Sequence, residues 1–340
     1  MINYGKQSIN EDDIKVVEQV LRGSHLTCGS KIPEFEDALA EYVGAKYAVA
    51  CSNGTAALHL LAMALKPQRV SVPAITFMAT ANAFAHVGAA IDIVDIGTTQ
   101  PMMQPIKTLD IAVPVHLAGF PIDLKDFKGT IIEDGCHALG ASLNGTRVGS
   151  CRHSMATVFS FHPVKPITTG EGGAITTNDE ALANELRSLR NHGVEDSNYT
   201  LNQLGLNYRL TDIQAALGIS QLKRLDSFIE RRRAIAAKYD EAFPDFIGIK
   251  EQPGQYSGYH LYTLRVSDRD TFRALLGIYG VGTQVHYKPL YRLGVYYNHP
   301  TLPNSEDWYK TTVSIPCYPD LTDRQVTRII DVVERGLNGH

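Results

Sequence analysis

Arg69-Val70-Ser71-Val72, Ala90-Ile91-Asp92-Ile93-Val94-Asp95, Ile111-Ala112-Val113-Pro114-Val115-His116 and Thr130-Ile131-Ile132-Glu133-Asp134 are short runs in which apolar residues dominate without strict alternation. A strand with one wet face alternates apolar and polar residues, so largely continuous runs indicate strands covered on both faces, as in a mostly parallel sheet. Residues 55–65, 77–86 and 122–128 read as helices between them, and this βαβ rhythm predicts a doubly wound α/β domain. Residues 156–161 and 173–177 extend the sheet.

A polar stretch follows from 191 to 205. Leu210, Ile213, Leu217 and Leu225 then fall at helical spacing, and Thr211 with Gln214 forms a capping-box pattern. The spacing predicts a long helix through the basic residues 231–233 to about Phe243, where Pro244 stops it. A strand at 260–266, a helix at 269–279 and a terminal helix at 322–337 suggest a smaller α+β unit. The expected division is a large α/β domain over 1–243, with an N-terminal arm and the long connecting helix, and a small C-terminal domain over 244–340.

Composition narrows the function. The 340 residues are 44% hydrophobic and 20% charged, enough for a large core without disulfides or structural metals. With 32 basic against 36 acidic residues the net charge is −4, and without a long Lys/Arg run no nucleic-acid partner is expected. The five cysteines (Cys28, Cys51, Cys136, Cys151, Cys317) are scattered and form no CxxC pair, which fits reduced thiols in a cytoplasmic protein and no metal site. No basic-then-apolar leader opens the chain and no stretch approaches the roughly 20 apolar residues that span a bilayer, so no membrane association is expected.

Three segments carry chemistry. Lys165 lies between Pro163 and Pro166, which have no backbone N–H to continue a strand or helix, so it sits on a loop at a strand end. That is where open α/β sheets bind ligands, and a desolvated amine there can form a Schiff base with an aldehyde cofactor; a loop lysine is otherwise an ordinary solvated charge. Ile131-Ile132-Glu133-Asp134-Gly135-Cys136-His137 is an apolar strand ending in acids. Asp134 either caps a helix or, beside such a lysine, holds the pyridinium nitrogen of pyridoxal 5'-phosphate, with His137 near the same ring. Cys51-Ser52-Asn53-Gly54-Thr55-Ala56-Ala57-Leu58 reads as strand, turn and helix, a helix N-terminus suited to a phosphate. Ser160 offers a hydroxyl to the same phosphate, and Phe77 is either core or a ring to stack on the cofactor.

Taken in order, these segments, together with Arg190-Asn191-His192-Gly193 and Leu206-Asn207-Tyr208-Arg209-Leu210-Thr211-Asp212, resemble the DegT/DnrJ/EryC1/StrS family of pyridoxal-phosphate sugar aminotransferases over nearly the whole chain. The resemblance implies the type I (aspartate aminotransferase-like) fold and a homodimer with shared active sites. It implies Lys165 as the Schiff-base lysine, Asp134 at the pyridine nitrogen, Phe77 and His137 against the ring, and Gly54, Thr55 and Ser160 on the phosphate. Asn207 would reach the phosphate in the neighbouring subunit. The form of residues 162–173 is most similar to the branch that aminates C4 of UDP-4-keto-6-deoxy-N-acetylhexosamines on the way to pseudaminic acid, with glutamate as donor. In that branch the nucleotide sugar is met by residues matching Tyr4, Leu26, Thr27, His286 and Tyr287.

Other readings remain at this point. A dTDP- or GDP-linked keto-sugar would suit the same fold. A related sugar dehydratase would carry histidine where Lys165 stands. A regulatory DNA-binding protein would need a basic surface that the composition lacks.

Overall fold

The computed structural model describes residues 1–194, 200–201, 203–296 and 300–338. The strands in chain order begin with β1 (Tyr47–Cys51), β2 (Arg69–Pro73), β3 (Ala90–Val94), β4 (Lys107–Ala112) and β5 (Lys128–Asp134). The short β6 (Ser142–Leu143) and β7 (Thr146–Arg147) form a hairpin before β8 (Ala156–Ser160) and β9 (Gly173–Thr177). Seven of them make one sheet in the order β1-β9-β8-β5-β4-β2-β3. The pairs from β8 to β3 are parallel, while β9 runs antiparallel to both β8 and β1.

This order decides where the chemistry gathers. Strands β1, β2, β5 and β8 all point the same way, so the segments after Cys51, Pro73, Asp134 and Ser160 leave the sheet at one edge. Because β9 returns beside β8, residues 161–172 must turn back at that same edge, and they carry Lys165. Ligands of open α/β sheets bind at the carboxyl ends of the strands.

Helices cover both faces. The helices α1 (Glu11–Leu21), α2 (Lys31–Val43), α3 (Gly54–Leu65), α4 (Ala79–Ala85), α5 (Glu180–Leu189) and α6 (Asp212–Ala242) belong to this layer. Val49 and Cys51 of β1 pack with Leu58, Leu60 and Leu186 of α3 and α5, whereas Ala48 and Ala50 face the side of α2 and α6. Phe35, Phe159 and Phe161 are fully buried on that second side, each contributing roughly 1.5–3 kcal/mol of apolar transfer. Burial on both faces explains the unalternating runs.

The 31-residue α6 starts at Thr211, whose hydroxyl accepts from the Gln214 N–H while the Gln214 side chain takes the Thr211 N–H. It ends one residue before Phe243, next to Pro244. Leu222, Leu225 and Ile229 belong to the core beneath the sheet, and Ile235, Ala236 and Tyr239 to a second core. That second core is built on β11 (Tyr262–Arg265) paired antiparallel with β12 (Thr312–Ile315), after the short β10 (Gln255–Tyr256), and on α7 (Arg269–Ile278), α8 (Pro303–Thr311) and α9 (Asp323–Asn338). Among the described residues no helix is long and apolar enough to cross a membrane.

Two expectations fail locally. Residues 122–128 form no helix: a turn closes through Phe127 N–H to Leu124 C=O, and β5 begins at Lys128. Leu124 and Phe127 pack into one small cluster, and their three-residue spacing imitates a helical turn. The strand expected over 111–116 instead spans 107–112, since Pro114 has no N–H to continue the ladder.

Candidate active site

At the carboxyl edge of the sheet lies a cavity of about 860 Å³. Asp134, the last residue of β5, is buried on its wall. Its Oδ2 accepts from the Thr80 hydroxyl at 2.7 Å and its Oδ1 from the Cys136 N–H at 3.1 Å. The Thr80 proton is thereby spent, so Thr76, 2.8 Å away, is the donor to Thr80 Oγ1. The carboxylate is thus anchored from β5 and from α4 together.

Lys165 borders the same cavity from the loop between β8 and β9. That loop folds on itself: the Lys165 N–H donates to the His162 carbonyl at 2.8 Å, and the Thr169 N–H and Thr168 hydroxyl both donate to the Phe161 carbonyl. Burial lowers the Lys165 ammonium pKa, with Cys136 and Asp134 pulling the other way, so the neutral amine is more accessible than on a surface lysine.

The α3 N-terminus forms a third wall. The Asn53 side chain accepts from the Ala56 N–H at 2.8 Å and its carbonyl from Ala57, leaving the earlier N–H groups at Gly54 and Thr55 as the anion-binding end of the helix. Gly54 is required by close approach, since a Cβ there would stand 3.0 Å from Ser160 Cβ and 3.4 Å from Cys136 Sγ. A Cβ at Gly173 would meet the Asn53 carbonyl carbon at 2.4 Å. Backbone therefore lies where side chains would fill the cradle, and Thr55 and Ser160 line it.

Opposite is a group of aromatic and imidazole rings. His137 Nε2 lies 3.0 Å from the Tyr287 hydroxyl, the His137 and His260 rings are 4.4 Å apart, and Phe77 faces Tyr287 at 6.0 Å. His286 Nδ1 is 2.8 Å from Ser314 Oγ, and its ring is 5.7 Å from that of Tyr4. Burial holds His137 and His260 well below the ordinary imidazole pKa and takes His286 to about 3, so all three are neutral. Burial likewise pushes the Tyr287 phenol up.

Of the residues singled out from sequence, Lys165, Asp134, Gly54, Thr55, Phe77, His137, Ser160, Tyr4, His286 and Tyr287 all line this cavity. Leu26, Thr27 and Asn207 do not. Thr27 bridges to Thr211 and the Leu26 carbonyl accepts from Asp212 N–H at 3.0 Å, which puts both at the start of α6, while Asn207 bridges to Asn191, just past α5. Thr80, Tyr208 and His260 line the cavity without having stood out in the sequence. The Thr76 and Thr80 spacing at a helix start was a usable signal, whereas His260 was hidden inside a strand-like run.

Lysine, aspartate and a glycine-cradled helix end on one cavity of this sheet define a class: the type I aminotransferases that work with pyridoxal 5'-phosphate. The chain belongs to the DegT/DnrJ/EryC1/StrS aminotransferase family, whose model matches residues 7–334. It is 35% identical over 368 aligned positions to the UDP-4-amino-4,6-dideoxy-N-acetyl-beta-L-altrosamine transaminase of Campylobacter jejuni, covering 98% of this chain and 96% of that protein. Among solved structures it is similar to Helicobacter pylori PseC, an aminotransferase involved in the biosynthesis of pseudoaminic acid, with a TM-score of 0.93, 29% identity and 100% of both chains covered. It is also similar to Spr1654 of Streptococcus pneumoniae in a PLP form, with a TM-score of 0.91, 29% identity, and 98% of this chain and 99% of that one covered.

Proposed function

We propose that this chain transfers an amino group, with L-glutamate as donor, to C4 of a UDP-linked 4-keto-6-deoxy-N-acetylhexosamine. The convergence of Lys165 and Asp134 on a cavity closed by the Gly54 cradle carries this reading, and the similarity to the C. jejuni transaminase and to PseC supports the sugar. The residues suit pyridoxal 5'-phosphate: a helix end with Thr55 and Ser160 for a dianion, a buried carboxylate for a protonated ring nitrogen, and Phe77 and His137 for the ring faces. When bound, that cofactor supplies an aldehyde carbon and an electron-withdrawing ring.

In this reading Lys165 Nζ anchors the cofactor and then carries a proton to and from the reacting carbon, a task suited to an amine whose charge is disfavoured by burial. Asp134 keeps the ring nitrogen protonated, and Thr80 keeps Asp134 in place. Tyr4, His286 and Tyr287 meet the nucleotide sugar. Leu26, Thr27 and Asn207, which lie outside the cavity of their own chain, serve the site of a second copy, so the working unit is a homodimer. We assign the large PLP-binding domain to 1–243 and the small domain to 244–340. We place the enzyme in the cytoplasm, where its free thiols persist.

The decisive experiment converts the holoenzyme to its amino form with glutamate and titrates it with UDP-, dTDP- and GDP-linked 3-keto and 4-keto sugars. Return of the aldehyde-form spectrum with the UDP 4-keto-6-deoxy-N-acetyl sugar, and formation of its 4-amino product, is the expected result. Preference for a dTDP or GDP sugar would replace the substrate, and conversion with none would reject the function.

A further inference from the structure

The segment that carries Tyr287 is pinned at both ends. Gln284 and Ser314 exchange backbone hydrogen bonds at 3.1 and 2.8 Å, and the Leu290 N–H donates to the Ala74 carbonyl at 3.0 Å, just past the end of β2. Between these ties the Tyr287 ring stands among those of Phe77 at 6.0 Å, His137 at 6.0 Å and His286 at 4.9 Å, and it lines the cavity. Burial, with Asp134 and Cys136 nearby, keeps the phenol protonated.

The direction of that proton is fixed by His137. Its ring is neutral and its Nδ1 accepts from the Ala118 N–H, so its one proton is on Nε2 and goes to the Tyr287 oxygen 3.0 Å away. His137 therefore cannot accept from Tyr287. Among the described residues the Tyr287 hydroxyl has no other hydrogen-bond partner, which leaves its proton for a ligand in the cavity. Other hydroxyls of the lining are committed: Thr80 donates to Asp134, and that of Tyr208 shares a bond with His59 Nδ1 at 3.0 Å.

We propose that Tyr287 is the proton donor to the carbonyl oxygen of the keto substrate, an inference that rests on the aminotransferase reading and on no particular sugar. Lys165 serves the reacting carbon, which leaves the departing oxygen without a donor. As the attacking amine forms its N–C bond, the C=O π bond breaks onto oxygen and that oxygen takes the Tyr287 proton. The C–O bond then breaks as the oxygen takes a second proton from Tyr287 and leaves as water. Each proton given is replaced by one from the amine nitrogen, which ends doubly bonded to carbon, so the phenol is restored and the two protons of the water balance those lost from nitrogen. The His137 Nε2–H steadies the Tyr287 oxygen while charge builds on it. On the donor side the same steps run backward and release the keto acid.

In deuterated water the wild-type holoenzyme and Tyr287→Phe should exchange the C2 hydrogen of L-glutamate at rates within about twofold of each other, because that step belongs to Lys165. Single-turnover formation of 2-oxoglutarate should fall about tenfold in the variant. Infrared difference spectra of natural and carbon-13-labelled 2-oxoglutarate, bound to the aldehyde form where no free amine can attack it, should show a carbonyl stretch at lower frequency in the wild type than in Tyr287→Phe. Should that variant not fold, 3-fluorotyrosine in place of Tyr287, a stronger donor of the same shape, should lower the stretch further. Equal loss of exchange and of keto-acid formation, keto-acid formation at the wild-type rate, or a stretch that neither replacement moves overturns the proposal. No sugar enters these measurements, so a failure of the proposed sugar substrate leaves them standing.

Discussion

The backbone N–H of Ala118 donates to Nδ1 of His137 across 3.2 Å, and that one bond decides which imidazole nitrogen carries the proton. With Nδ1 as acceptor in a neutral ring, Nε2–H must donate to the Tyr287 oxygen, and the Tyr287 proton is left for another partner in the cavity. The turn that presents Ala118 depends on Gly119, at φ 95°, where a Cβ would meet the His137 carbonyl and the His260 nitrogen at 3.0 Å. Tyr287→Phe removes the acceptor and leaves a buried N–H unpaired. We expect a loss of about 1–3 kcal/mol in urea unfolding and about tenfold in turnover. Wild-type values for both would show that the pair is idle.

Asp134 and Thr80 form a second testable pair. Asp134→Asn should keep the fold by circular dichroism yet lower kcat by about 100-fold or more, because a neutral amide cannot hold a protonated ring nitrogen. Thr80→Val removes one of the two hydrogen bonds to the Asp134 carboxylate, together with the acceptor of the Thr76 hydroxyl, and keeps the charge, so its loss should be only about fivefold. An Asp134→Asn enzyme within a few-fold of wild type would reduce Asp134 to a structural residue.

Lys165→Ala should have no measurable turnover. Borohydride should fix a pyridoxyl mass on the Lys165 peptide of the wild type and none on the variant, while the variant still binds cofactor through the Gly54 cradle. Labelling at another lysine would move the anchor elsewhere.

Asn207 and Lys165 should complement between subunits. Inactive Lys165→Ala and inactive Asn207→Asp chains, mixed under conditions that exchange subunits, should regain activity, because one site of each heterodimer then carries neither lesion. The added carboxylate repels the phosphate, a charge-assisted contact worth about 1.5–3 kcal/mol when intact. An exchanged mixture that stays inactive would confine Asn207 to its own chain.

Acid should destabilise the protein through its neutral histidines. His137, His260 and His286 have lowered folded pKa values, the last about 3. Below the unfolded value of about 6.5 the unfolded chain binds protons at these sites and the folded chain does not, so stability is lost as pH falls. Each contributes about 1.4 kcal/mol per pH unit in that window. Urea midpoints should drop steeply from about pH 7 to pH 5, and less steeply in His286→Asn; equal slopes would mean that His286 titrates freely.

The sequence by itself determined what depends on near neighbours along the chain. Unalternating runs marked β2, β3 and β5, Thr211 with Gln214 marked the start of α6, and the prolines around Lys165 required a loop at a strand end. Local pattern misled where tertiary contacts imitate it, as with Leu124 and Phe127, whose spacing serves a small core cluster rather than a helix. Only the tertiary structure brought Thr80 to Asp134 across 54 residues and Tyr287 to His137 across 150, gathered His260 behind them, and set Leu26, Thr27 and Asn207 outside the cavity of their own chain. Periodicity reports which face of an element is buried, but these pairings depend on strand order and on the return of β9 beside β8, which long-range packing decides.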